Sequence, residues 1–196
     1  MKPLSLLTLS IGSLALSSCA LLTKSEDKRT YYAFRSTAGE QIAKRPALSA
    51  HVRSVTIPGY LDRSELVSRT TPNVVDIRDR FLWAESLDNE IARNMAASLR
   101  SLLGTSKIVA LDSELAELGK GYRINLEITR FELDTGNNVV LEGIYAIRNR
   151  EASGDDTHKS FRFTKSGASN ETAIVAAMNA CLDELNRDVA RKLADR

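Results

Sequence analysis

An α+β fold is predicted for this chain: a two-layer sandwich whose mainly antiparallel sheet carries two main helices packed on one face. Three observations predict it. Two stretches place apolar residues at helical spacing, Leu87–Ile91–Met95–Leu99–Leu102 and Ile174–Met178–Cys181–Leu185–Val189. Each follows a series of short segments rich in β-branched and aromatic residues, which read as strands. Tight turns join the strands of the second half, and strands so joined are antiparallel neighbours.

In chain order, the first expected strand is Tyr31–Phe34, dense in aromatics. Residues 47–57 form the second. Leu48, Ala50 and Val52 share one parity there and Val55 and Ile57 the other, so a bulge is expected between Val52 and Val55. Pro58-Gly59 ends the strand. Glu65–Arg69 and Asn73–Trp83 are expected to pair around the turn residues Thr71-Pro72-Asn73. Ser86 stands where an N-cap is needed, Asp88 and Glu90 favour the helix dipole, and Gly104 supplies the stop. Lys107–Leu111 is a short strand. Arg123–Leu133 and Val139–Arg148 are the arms of a long hairpin turning at Gly136-Asn137-Asn138. Ile124, Leu126 and Ile128 share a face, while Phe131 and Leu133 fall out of step, a second bulge signal. His158–Thr164 adds a strand with Phe161 and Phe163 on one side, and a helix over Glu171–Ala194 closes the chain.

Ahead of these elements, a basic tip (Met1-Lys2), an apolar run from Leu4 to Leu16 and the residues Leu16-Ser17-Ser18-Cys19 read as a bacterial lipoprotein signal. The apolar run is too short to span a bilayer and presents small residues to a membrane-embedded peptidase. Residues 1–18 are thus a signal peptide, Cys19 is the acylation site and new N-terminus, and 19–30 form a polar tether. Residues 20–30, fully extended, reach at most ~35–40 Å. Residues 31–196 make one domain. The residue after the cysteine is Ala20. In Gram-negative lipoproteins an Asp there resembles an inner-membrane retention signal, so Ala20 favours the periplasmic face of the outer membrane.

Cleavage before Cys19 leaves 178 residues, a single domain's worth. Lys2 is the one charge removed, so 26 Lys+Arg face 25 Asp+Glu. That balance gives neither a nucleic-acid footprint nor a polybasic attraction to headgroups. Cys181 is then the only thiol left, which precludes an internal disulfide. Neither His51 nor His158 sits in a catalytic pattern, and no Gly-x-Ser-x-Gly, His-Glu-x-x-His or phosphate loop occurs. Both histidines read as surface or edge residues of strands, Asp155-Asp156 as a hairpin turn, and Cys181 as a small hydrophobe on the last helix. No enzyme, metal or cofactor is expected.

The most specific segment is Ile57-Pro58-Gly59-Tyr60-Leu61-Asp62-Arg63, followed by Leu66-Val67-Ser68-Arg69. Tyr60 and Leu61 suit a plug at the core edge. Asp62, Arg63 and Arg69 beside an aromatic suit a partner-facing loop. Trp83 reads first as a core anchor and second as an interface residue. Together with Arg80-Phe81-Leu82-Trp83-Ala84-Glu85-Ser86-Leu87, Tyr31-Tyr32-Ala33-Phe34 and Phe131-Glu132, this segment resembles the ABC-type transport auxiliary lipoprotein family over almost all of residues 19–196. The resemblance implies a non-enzymatic envelope lipoprotein with no catalytic residues. It also implies partners in a transport system with a substrate-binding protein of the mammalian-cell-entry type, moving phospholipid or other hydrophobic substrates between membranes. On that basis the chain is expected to be a docking adaptor. Tyr60, Asp62, Arg63, Arg69 and Trp83 are its candidate partner-binding residues, and the membrane is held through the lipid. A homo-oligomer stays open. The alternative is a lipid- or hydrophobic-ligand-binding module, marked by an apolar cavity of several hundred Å3 between sheet and helices.

Overall fold

The computed structural model describes residues 28–36, 39–111, 113–115, 121–151, 156–166 and 169–196. The expected signal peptide, Cys19, most of the tether and Asp155 of the expected turn lie outside the described residues. Among the described residues eight strands and two helices follow one another as β1 (Thr30–Tyr32), β2 (Ala50–Thr56), β3 (Glu65–Thr71), β4 (Val74–Trp83), α1 (Leu87–Leu103), β5 (Ile108–Ala110), β6 (Tyr122–Leu133), β7 (Asn138–Asn149), β8 (Thr157–Ser166) and α2 (Glu171–Ala194). The α+β class holds, and α1 and α2 pack on each other and on β2, β5, β7 and β8.

The expectation of a mainly antiparallel two-layer sheet is corrected: the sheet is mixed and curled into a half-barrel. The pairs β3–β4, β6–β7 and β7–β8 are antiparallel, as their short turns dictate. Four others are parallel: β1 with β4, β2 with β5, β2 with β6, and β3 with β6 at Ser68 opposite Leu133. Parallel neighbours are reached by long crossovers, here through β3, β4 and α1, so no local turn announces them.

Both expected bulges are present, between Val52 and Ser54 on β2 and between Ile128 and Arg130 on β6. The second lets Ile124, Leu126 and Ile128, then Phe131, all turn into the core. There they meet Ile91, Met95 and Leu99 of α1 and Met178, Cys181 and Leu185 of α2, all at 2% exposure or less. Each such side chain contributes about 1.5–3 kcal/mol by burial. Burial pushes the Cys181 thiol up to about 12, so it behaves as the small hydrophobe expected.

The helix ends are fixed locally, with one departure. Asn170 caps α2, its side chain accepting from the Ala173 N–H at 2.9 Å, and Gly104 closes α1 in the left-handed region at φ 59°. Ser86 is the N-cap of α1 by position, but its hydroxyl makes no cap bond. Glu90, expected to serve the helix dipole, accepts the Phe34 N–H at 3.0 Å and so also holds the segment after β1. That segment crosses both helices: Arg35 N–H reaches Asn179 Oδ1 at 3.0 Å, the Ser36 and Ser98 hydroxyls meet at 2.9 Å, and Ile42 and Ala43 donate to the Leu102 carbonyl. Its Phe34 ring lies 4.9 Å from Trp83 and 5.8 Å from Phe131. His51 departs from the surface expectation. It is 4% exposed, and its Nε2 lies 2.5 Å from the Leu111 carbonyl. His158 is exposed, as expected.

Candidate functional site: a charged cluster beneath the β2–β3 loop

β2 and β3 run in the same direction along one edge of β6, β2 beside Tyr122–Glu127 and β3 at Leu133. The chain between them must therefore step along that edge without leaving it. Pro58 starts the step, and the Leu61 N–H returns to the Pro58 carbonyl at 2.9 Å. Leu61, 2% exposed, plugs the core beneath. This turns Asp62 outward and leaves Arg63 half-buried. Among the described residues Asp62 has no ion pair and no side-chain hydrogen bond.

Tyr60 and Arg69 are drawn underneath instead. The Arg69 guanidinium lies 5.7 Å over the Tyr60 ring and grips Glu132 with two bonds, Nε to Oε1 at 2.6 Å and Nη2 to Oε2 at 3.3 Å. Its Nη1 donates to the Pro72 carbonyl at 3.0 Å, tying in the β3–β4 turn. Glu132 is completely buried. Arg130 adds contacts of 3.3 and 3.2 Å to the same Oε1 and extends the chain of charges to Glu142, which Arg162 also contacts.

Burial alone would raise the Glu132 carboxyl. The bonds from Arg69 and the charges of Arg69 and Arg130 outweigh it, so the group titrates below its ordinary range. The Tyr60 phenol is pushed the other way, to about 12, first by desolvation and then by the neighbouring Glu132. Its hydroxyl oxygen is buried beside these charges without a hydrogen bond of good geometry. The cluster's contacts tie the β2–β3 loop, the β3–β4 turn and β6 together.

The candidate residues therefore divide. Tyr60 and Arg69 meet each other and Glu132, Asp62 and Arg63 sit on the loop above, and Trp83, 5% exposed, lies in the core against Phe34. Arg130 was not singled out by sequence, and Glu132 entered only through the Phe131-Glu132 resemblance, without a role at this site. The signal was the bulge at Ile128, which leaves an acidic residue between two core side chains, Phe131 and Leu133.

A cavity of about 700 Å3 opens between Arg93, Ala96, Ala97 and Arg100 of α1 and the sheet's edge strand β5 with the residues after it, Val109 to Leu111 and Leu115. It is open and of mixed polarity. No group of residues suited to a metal ion is present among the described residues, and none of their helices is long and apolar enough to cross a membrane.

The family model for the ABC-type transport auxiliary lipoprotein component matches residues 32–190. No curated protein matches significantly. Among solved structures, an uncharacterised protein is 19% identical with a TM-score of 0.67, the match covering 84% of this chain and 97% of that one. A protein from Xanthomonas campestris is 16% identical with a TM-score of 0.64, the match covering 84% and 95%. These two likenesses concern the fold.

Proposed function

Because the chain belongs to the family of ABC-type transport auxiliary lipoprotein components, we propose that it is a lipid-anchored docking adaptor. In this reading acylated Cys19 holds the domain on the periplasmic face of the outer membrane, and the β2–β3 loop offers Asp62 and Arg63 to a substrate-binding partner of the mammalian-cell-entry type. Phospholipid or another hydrophobic molecule is the cargo. Anchoring confines the encounter to two dimensions and raises effective concentration, so a modest interface suffices. One acyl chain holds only marginally, which is why maturation must supply more than one.

The observation that carries this reading is the mounting of two charges with no ion pair among the described residues: Leu61 and the Tyr60–Arg69–Glu132 cluster hold the loop from beneath, with Asp62 exposed and Arg63 half-buried on it. A ligand-binding reading draws support from the cavity between α1 and β5, while the rest of the space between helices and sheet is filled by buried side chains.

Two measurements test the proposal. Cys19→Ala should fractionate as an unprocessed or soluble form; recovery with the outer membrane at wild-type level would end the anchoring claim. The change Asp62→Arg should weaken co-purification with the transport partner about tenfold, while the melting temperature stays within about 2 °C, as for an exposed side chain whose change is worth under 0.5 kcal/mol. Unchanged co-purification would remove the loop from the interface.

A further inference from the structure

The fold gathers onto one rim cations that lie far apart along the chain. Ala50 pairs with both Ile108 and Tyr122, and Tyr122 pairs with Asn149, so β2, β5, β6 and β7 share that rim. Lys44 and Arg45 line a cavity of about 320 Å3 there together with Leu48 and Tyr122. The Arg45 guanidinium donates to the carbonyls of Ala194 and Arg196 at the end of α2, and Arg196 lies 5.6 Å over the Tyr122 ring. Arg123 and Arg148 stand directly opposite each other on β6 and β7, an arrangement that weakens a sheet. Among the described residues the Arg123 Nε has no hydrogen-bond partner. Arg150 is held at the same rim by its backbone bond to Gly121. Glu151, Asp156 and Asp195 lie nearby, and Asp156 is engaged by Arg148 at 3.1 Å.

We infer that this rim is a docking surface for an acidic polypeptide segment of a protein partner. The opposed Arg123 and Arg148, with Arg150 beside them, are stabilised by an incoming carboxylate-rich strand or loop. A protein fits better than the anchoring membrane because of where the tether joins. Thr30 pairs with Phe81, toward the end of β6 where Ser68 meets Leu133, whereas the rim is the Tyr122 end. This orientation, but not the rim itself, rests on the proposed anchoring at Cys19.

The test uses the mature lipidated protein in nanodiscs of neutral lipid, with a fluorescein-labelled peptide of about 15 glutamates as the probe. Anisotropy should report binding at about 50 mM salt that weakens by about 200 mM, as expected for a screened contact. Arg148→Glu with Arg150→Glu, both on exposed side chains, should lower the affinity about tenfold or more. The same charge change placed elsewhere, Arg80→Glu with Arg93→Glu, should lower it less than about twofold. Equal losses, or no binding at the lower salt, would overturn the proposal. So would binding to vesicles of roughly 30% phosphatidylglycerol that is lost on rim reversal while peptide binding is kept. Cys19→Ala protein should bind the peptide with unchanged affinity, so failure of the anchoring claim leaves this result standing and is told apart from it.

Discussion

Replacing Arg69 by methionine is expected to destabilise the protein by about 3 kcal/mol, which for a domain of this size lowers the melting temperature by about 6–12 °C. The reason lies in its partner. Glu132 is completely buried, and Arg69 supplies its shortest contact, 2.6 Å to Oε1, together with a 3.3 Å bond to Oε2. Removing one member of a buried pair costs roughly 3–5 kcal/mol because the other charge stays uncompensated; Arg130, still 3.2 Å from Oε1, keeps the loss at the low end. Changing both partners, Arg69→Met with Glu132→Leu, should restore most of the stability, since apolar pairs replace buried ion pairs at little net loss. Urea unfolding of wild type, both singles and the double measures the coupling. A cost below about 1 kcal/mol for Arg69→Met alone would mean that Glu132 does not depend on it.

The same pair sets a pH dependence. The folded-state carboxyl of Glu132 lies below its ordinary value of 4.5. Its stabilising contribution is therefore complete above that value and is lost as pH falls through the lower folded-state value. The gap between wild type and Arg69→Met should accordingly be widest at neutral pH and should close in the acid range below 4.5. A gap that widened on acidification would contradict the assignment.

Sequence places Arg69 on a partner-facing loop because it falls, with Asp62 and Arg63, beside an aromatic in a segment that reads as surface. The fold instead turns it onto β6, a strand more than fifty residues away in sequence. The same limitation explains the sheet. Pro58-Gly59, Thr71-Pro72-Asn73 and Gly136-Asn137-Asn138 punctuate the chain where they should, and the helix over Glu171–Ala194 is recovered to the residue, because turns, caps and periodicity are local. The shifts of parity at Val55 and Phe131 revealed both bulges for the same reason. Which strand lies beside which is decided by burial across long crossovers. That is why the parallel pairs, the interior position of His51 and the Glu132 cluster emerge only in three dimensions. Cys19 is the opposite case: its whole signal is linear.

Gly143 carries the second large expectation: Gly143→Ala should destabilise by about 3 kcal/mol, at the top of the usual range for overpacking. An added Cβ would fall 2.2 Å from the Glu127 carbonyl oxygen and 2.8 Å from Cζ of Phe161. The first is backbone and cannot swing aside. The crowding has a local origin. Gly143 pairs with Ile128 on β6, immediately before the bulge that shifts register at Arg130, and with Phe161 on β8, whose ring stacks between Tyr145 at 6.3 Å and Phe163 at 5.9 Å. The bulge presses β6 toward β7 at this point, and only a residue without a side chain leaves room. The backbone at Gly143 is one that other residues adopt, so conformational freedom is not what the glycine provides. Gly59→Ala makes the contrast, since nothing stands within 4 Å of its Cβ. There the entropy removed from the unfolded chain should dominate and stabilise by about 0.4–1 kcal/mol. Opposite signs in a denaturant titration of the two variants would confirm that contact decides the first and chain entropy the second; a neutral Gly143→Ala would show that β6 and β7 can part at the bulge without loss.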